Sequence, residues 1–286
     1  MASKAALPNL RKRLNTLSVI IREQAPGLLI CSVFVLVAVL GPALTPYNPD
    51  KVVMSQRLLG LSALHPFGTD EYGRDILTRV IWGARISASV VLLATAISVA
   101  LGVPLGLIAG YYGTAFDFIL SRVIDAMQTF PPVLLAIAIA AVLGPSQQTV
   151  IVAVGIAGTA NIARMARGAV LRVREQQYVE ASQAIGANDF HILLKAILPN
   201  CISPLIIQVS YYAPQAVLTE AGLSFLGLGV QPPVASWGNM LSAAKAYLFI
   251  APQYVILVGL SISITIIGMN LLGDGLRVSL DPQLYD

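Results

Sequence analysis

Several stretches of this chain run for about 18 to 25 residues with almost no charge, the length that crosses a ~30 Å hydrocarbon core. They lie at 26–44, 86–109, 118–142, 202–219 and 251–272, with a shorter fourth span at 149–163 that is expected to run on as helix through Arg164 and Arg167. Lipid offers no partner to a bare peptide group, so runs of this kind cross a membrane as helices that bond their own backbone. Composition agrees: 56% of the residues are hydrophobic and 11% charged, with mean hydropathy +0.77, whereas a soluble domain carries about 25% charge. The expectation is an all-α polytopic membrane protein with about six transmembrane helices.

Charge then orients the bundle. Lys4, Arg11, Lys12, Arg13 and Arg22 precede the first span, and Arg164, Arg167, Arg172, Arg174 and Lys195 follow the fourth. With six spans both groups fall on one side, which the positive-inside rule makes cytoplasmic. Both termini are then cytoplasmic. The division expected is a cytoplasmic segment over 1–25, a first transmembrane helix over 26–46 and an extracytoplasmic loop over 47–84. A transmembrane core over 85–272 and a cytoplasmic tail over 273–286 complete it. The first span is not read as a cleavable signal, since Pro42 and Pro46 end it without a small-residue cleavage pattern. The loop carries Lys51, Arg57, Arg74 and Arg79 beside Asp50, Asp70, Glu71 and Asp75. Its glycines and acid–base pairs suit a tightly turned scaffold or a docking surface for an external partner. The net charge of +4 belongs to topology rather than to nucleic-acid binding. Cys31 and Cys201 sit in or beside apolar spans and imply no disulfide framework.

Between the fourth and fifth spans lies EASQAIGANDFHILLKAILPN, a helix-forming stretch with a glycine break. Glu180 is placed to cap or to pair with a basic group. Ala181 and Ser182 are small enough for another surface to approach, and Gly186 suits the positive-φ turn that ends a helix. Pro199 suits the first turn of the next helix, where its missing N–H costs nothing. Two roles fit these residues: a stiff contact that transmits force to a partner, or an amphipathic helix resting on the membrane surface.

The stretch resembles the EAA loop of ABC-transporter permeases. That pattern is Glu-Ala-Ala, three residues, Gly, nine residues, Ile, one residue, Leu-Pro; Glu180, Ala181, Gly186, Leu198 and Pro199 fall on it in register. Ser182 replaces the third small residue and Ala196 the isoleucine. Further segments narrow the likeness: HPFGTDEYGRD at 65–75 leading into GARIS, LSFLGLG at 223–229 followed by Trp237-Gly238, and GDGLR with Leu280-Asp281-Pro282. They resemble the second permease subunit of the dipeptide/oligopeptide/nickel importers. The resemblance implies a cytoplasmic EAA coupling helix within a loop at 178–199, with Glu180, Ala181, Ser182, Gly186, Leu198 and Pro199 as the ATPase-coupling residues. It implies as partners two ATP-binding subunits, a homologous permease subunit and an extracytoplasmic solute-binding protein, in a bacterial or archaeal inner membrane. Peptides are the implied cargo because they dominate the group; nickel, glutathione and sugars are its other cargoes.

Several positions suggest roles of their own. Gly102, Gly106 and Gly110 form a stripe at four-residue spacing that lets another helix approach. Pro131-Pro132 breaks the third span, as a gate hinge or as a plain structural kink. Glu220 near the end of the fifth span is a candidate for the pore or its gate, or a paired structural carboxylate. Trp237 reads as an interfacial anchor, and LSFLGLG as too glycine-rich for robust helix. His65 and His191 have no second ligand at metal spacing. No GxxxxGK[ST] phosphate loop is present. The chain is thus expected to be no enzyme and to bind no cofactor itself, ATP and Mg being used by the partner ATPases. An ion-coupled secondary transporter, with Glu220 or Asp125 as coupling carboxylate, is the competing class.

Overall fold

The computed structural model describes residues 25–41 and 43–280. The basic residues before Ala25, together with Pro42, Asp281 and Pro282, lie outside them. The described helices are α1 (Ala25–Gly41), α2 (Ile76–Tyr112), α3 (Thr114–Thr129), α4 (Pro132–Leu143), α5 (Gln147–Arg174), α6 (Gln177–Ala184), α7 (Asp189–Phe225), α8 (Trp237–Ala244) and α9 (Pro252–Leu280). Among the described residues there is no strand. Four helices (α2, α5, α7 and α9) are each long and apolar enough to cross a membrane. α3 and α4 make a fifth span if taken as one, and α1 is apolar but shorter.

α2 opens on Asp75, whose Oδ2 accepts the Thr78 N–H at 2.7 Å; this bond satisfies a donor that the first turn leaves free. Pro104 stands inside α2 without ending it. Between α3 and α4 the axis turns by 89°. Phe130 is extended, as a residue before proline prefers, and Pro132 opens α4, where a ring with no N–H is tolerated.

The centre of the bundle is the pair α2–α5. A Cβ on Gly102 would lie 2.8 Å from the Ile162 Cβ, and one on Gly110 2.7 Å from the Val170 Cβ. One on Gly106 would collide with the Ala163 carbonyl. The two backbones therefore touch along three turns. The Ser98 hydroxyl donates to the Gly155 carbonyl at 2.7 Å in the same seam. α7 joins through Tyr212, whose hydroxyl donates to the Val154 carbonyl at 2.6 Å while its ring lies on Gly158. α9 packs on α7 and on α1, where Gly268 meets Ile30.

At the end of the bundle where α2 begins, residues 47–75 fold into a collar without regular helices beyond one short turn at Met54–Gln56. Its hub is Asp70, which is fully buried; the Arg74 Nε donates to it at 2.6 Å and the Arg79 Nε stands 3.5 Å away. Arg79 also donates to the carbonyls of Pro49 (2.8 Å) and Pro233 (3.3 Å), so α2 is riveted to both segments at this end. His65, also buried, meets the Asp75 carboxylate at 2.9 Å.

Two expectations change here. Trp237 is not an interfacial anchor: it is 2% exposed, and its indole N–H donates to the Val80 carbonyl at 2.9 Å while the ring covers Gly83. Proximity to a span end suggests the membrane surface, but the segment after α7 folds back onto α2. In LSFLGLG, Leu223, Ser224 and Phe225 are helical; the chain leaves the helix only at Leu226, and Gly227 at φ +82° makes the turn.

Candidate functional site

The opposite end of the bundle is built on the joint between α5, α6 and α7. α5 runs past the apolar span to Arg174, whose guanidinium donates to the Gly110 carbonyl at 2.9 Å and so sets the last turn of α5 against the last turn of α2. After two residues the chain re-enters helix as α6. Val179 is the residue that holds α6 down, fully buried in a cluster with Leu107, Ala166, Val170, Ile192 and Ile197.

α6 ends in a double-bonded turn. The Gly186 N–H donates to the Gln183 carbonyl at 2.9 Å and the Ala187 N–H to the Ser182 carbonyl at 3.1 Å. Gly186 stands at φ +80°, a conformation that a side chain resists, and the bonding pattern is that of a Schellman cap. Asn188 then starts α7 by accepting the His191 N–H on its Oδ1 at 2.7 Å. The Tyr111 hydroxyl donates to Asp189 Oδ1 at 2.8 Å, a second tie to the end of α2.

α7 is continuous from Asp189 to Phe225, with a π-helical stretch over Ile192–Ile197. The Leu198 N–H donates to the Leu193 carbonyl, five residues back, and Pro199 follows with no N–H to give. Pro199 thus sits in the first turn of the regular α-helical part, while the helix itself starts ten residues earlier. Leu198 is half-buried and Pro199 exposed.

Glu180, Ala181 and Gly186 are exposed and Ser182 is half-buried, its hydroxyl donating to the Tyr178 carbonyl at 2.8 Å. Around them stand large apolar side chains in the open: Tyr178 (44% exposed), Ile185 (84%), Phe190 (72%) and Leu194 (39%). None of these four stands out in the sequence as a contact residue. Their signal is that of isolated apolar residues in a stretch whose other apolar positions, Val179, Ile192 and Ile197, are buried. Tyr178 stands on α6, Ile185 caps it, and Phe190 and Leu194 stand on the first turns of α7; a helix–turn–helix corner presenting apolar groups on a stiff base is suited to seat in a groove of another protein.

The remaining candidates stand apart from this surface. Gly102, Gly106 and Gly110 face α5, and Pro131 and Pro132 form the α3–α4 bend. Glu220 lies in α7 roughly 46 Å along the helix from Asp189, at 1.5 Å per residue. It is fully buried, accepting the Ser87 hydroxyl on Oε2 and the Ser224 hydroxyl on Oε1, both at 2.9 Å. Neither serine stands out in the sequence as its partner. α3 is held to α5 by a two-bonded pair, Asp117 with Arg167, and by Asp125 with Arg164 at 2.9 Å.

Residues 102–285 match the model of a family described as binding-protein-dependent transport system inner membrane component. The dipeptide transport system permease protein DppC of Alkalihalophilus pseudofirmus is 43% identical over 258 residues, 90% of this chain and 85% of that protein. The glutathione transport system permease protein GsiD of Pectobacterium atrosepticum is 41% identical over 242 residues, 84% of this chain and 80% of the relative. Among solved structures, an inward-facing form of the MetNI methionine ABC transporter shares the fold. Its TM-score is 0.59 at 18% identity, covering 72% of this chain and 98% of that one.

Proposed function

The chain belongs to the binding-protein-dependent transport system inner membrane components, and from that premise we propose that it imports di- or oligopeptides as one of two paired permease subunits. It is a permease subunit of an ABC importer, embedded in the membrane. In this reading two ATP-binding subunits seat on the α6 surface, hydrolyse ATP with Mg and drive the bundle between inward- and outward-open states. A homologous permease forms the other half of the pore, and a solute-binding protein delivers cargo to the end that carries the 47–75 collar. The chain itself binds no cofactor. Both termini and the α6 loop face the cytoplasm.

The observation that carries the reading is the α6 joint. Exposed Ile185 and Phe190 stand at and just beyond the end of a glycine-capped helix that Val179, fully buried, holds to the bundle. A contact built in this way transmits force, because α6 cannot move without moving the ends of α5 and α7. Glu180, Ala181 and Ser182 line the approach, Gly186 sets the exit of the chain, and Leu198 and Pro199 set where regular helix resumes.

Peptide cargo rests on the dipeptide relative, and glutathione is the second cargo to test because a glutathione permease is nearly as similar. Uptake of a labelled dipeptide and of glutathione into vesicles containing the whole complex decides both questions. Accumulation that needs ATP and the binding protein, and survives collapse of the ion gradients, supports the importer. Accumulation abolished by a protonophore at full ATP supports an ion-coupled carrier instead.

A further inference from the structure

A carboxylate buried between membrane helices is costly unless it is paired, and the groups bonded to Glu220 are two serine hydroxyls rather than a cation. A leucine would fill the same space more cheaply. What the carboxyl group adds is direction: one oxygen faces Ser87 on α2, the other Ser224 one turn further along α7. Backbones close in on the same point. A Cβ on Gly238 at the start of α8 would lie 2.6 Å from the Ser224 Cβ, and one on Gly229 would meet the Ser224 hydroxyl. Four segments (α2, α7, the 227–229 turn and α8) are registered on this node.

The same two long helices are tied again at their other ends, through Tyr111 and Asp189. Between the ties α2 runs 24 residues, from Ser87 to Tyr111, and α7 runs 31, from Asp189 to Glu220. At 1.5 Å per residue these are roughly 36 Å and 46 Å, so α7 departs from the line of α2 between two fixed points. The irregular features of α7, its π-helical stretch with Pro199 and the internal Pro204 and Pro214, all fall within that interval.

We infer that Glu220 is a positioning residue of the transport cycle: through Ser87 and Ser224 it fixes the far end of α7 on α2, so that movement exchanged with the α6 loop arrives there in register. The inference rests on the importer reading given above. Glu220 is fully buried between the helices and acts through its two serines, setting where this end of α7 sits on α2. The interaction needs shape and hydrogen bonds, so an amide serves. In Glu220→Gln the side-chain carbonyl accepts from one serine and the NH2 donates to the other.

The test is ATP hydrolysis by the assembled complex with and without the solute-binding protein, which signals from the opposite end of the bundle to the ATPases. Retention of ATPase subunits by the tagged permease is measured alongside. Glu220→Gln keeps native stimulation. Glu220→Leu keeps the ATPases and basal hydrolysis but loses stimulation by about tenfold, as expected for two lost bonds. Should Glu220→Leu fail to accumulate, Ser87→Ala and Ser224→Ala, which each remove one bond and no bulk, lose stimulation in part and decide the question in its place. Native stimulation in Glu220→Leu or in both serine variants overturns the inference, as does a Glu220→Gln protein as impaired as Glu220→Leu. A native chain that retains no ATPase overturns the importer reading, and the positioning role with it.

Discussion

The Tyr111 hydroxyl at the end of α2 donates to the Asp189 carboxylate at the start of α7 across 2.8 Å. These residues lie 78 positions apart, and their bond joins the helix at the centre of the bundle to the surface on which an ATPase would act. Together with Arg174 on the Gly110 carbonyl, it makes α6 an extension of the α2–α5 core rather than a loose connection.

Tyr111→Phe removes that bond together with the hydroxyl's hydrogen bond to Gln183 and leaves the ring in place. The expected cost in stability is about 1 kcal/mol, with the change concentrated locally. Amide hydrogen exchange over residues 177–191 should quicken while exchange in α5 stays at native rates. Equal protection of the loop in both proteins would show that Arg174 and Val179 hold it unaided.

At Gly106 the α5 backbone leaves no room: an added Cβ meets the Ala163 carbonyl, the Ala166 Cβ and the Arg167 nitrogen. Gly106→Val should therefore destabilise the detergent-solubilised protein by about 1–3 kcal/mol or more, as overpacking does. Gly168, on α5, has nothing within 4 Å of its would-be Cβ, so Gly168→Ala should be neutral or slightly stabilising. Thermal unfolding of the two variants side by side checks the contrast. A neutral Gly106→Val would contradict the close approach of α2 to α5 at this turn.

Burial pushes the Glu71 carboxyl above its ordinary 4.5, against a smaller lowering by its own backbone and by Arg74 and Arg79. Its Oε2 has no hydrogen-bond partner, while Oε1 stands 3.4 Å from Arg74. A raised acid favours the folded state below its unfolded value, and that contribution fades as pH rises through the folded value. Glu71→Gln, which cannot ionise, should thus gain on the native protein as pH rises from about 4.5 to neutral. Melting temperatures across that range check the sign; a native protein gaining on the variant with rising pH would contradict it.

Much of this is legible in the sequence because it is local. The span lengths, the glycine stripe on α2 and the Gly186 break depend on spacing along one helix, and spacing is what a sequence displays. The polar partners of Glu220 are not legible, since Ser87 lies 133 residues away and serine is unremarkable in an apolar run. The collar shows its charges in sequence, but nothing in HPFGTDEYGRD marks Asp70 as the buried hub rather than Glu71 or Asp75. Trp237 misleads for a related reason: its place beside a span is local information, whereas its burial on Val80 and Gly83 follows from a chain reversal. The exposed side chains of Ile185 and Phe190 gain meaning only once Val179, Ile192 and Ile197 are seen to take the buried side.

The role of the α6 surface is tested most directly by co-purification of ATPase subunits with the tagged chain from membranes that express every component, comparing the native protein with Ile185→Asp/Phe190→Asp. Both side chains are exposed, so the pair should leave folding untouched and the melting temperature within about 1 °C of native, in keeping with the small effect of surface substitutions. The native chain should retain the ATPases, and the folded double variant should lose them. ATPases retained equally by both proteins would place the contact elsewhere on the chain and contradict the coupling role given to α6.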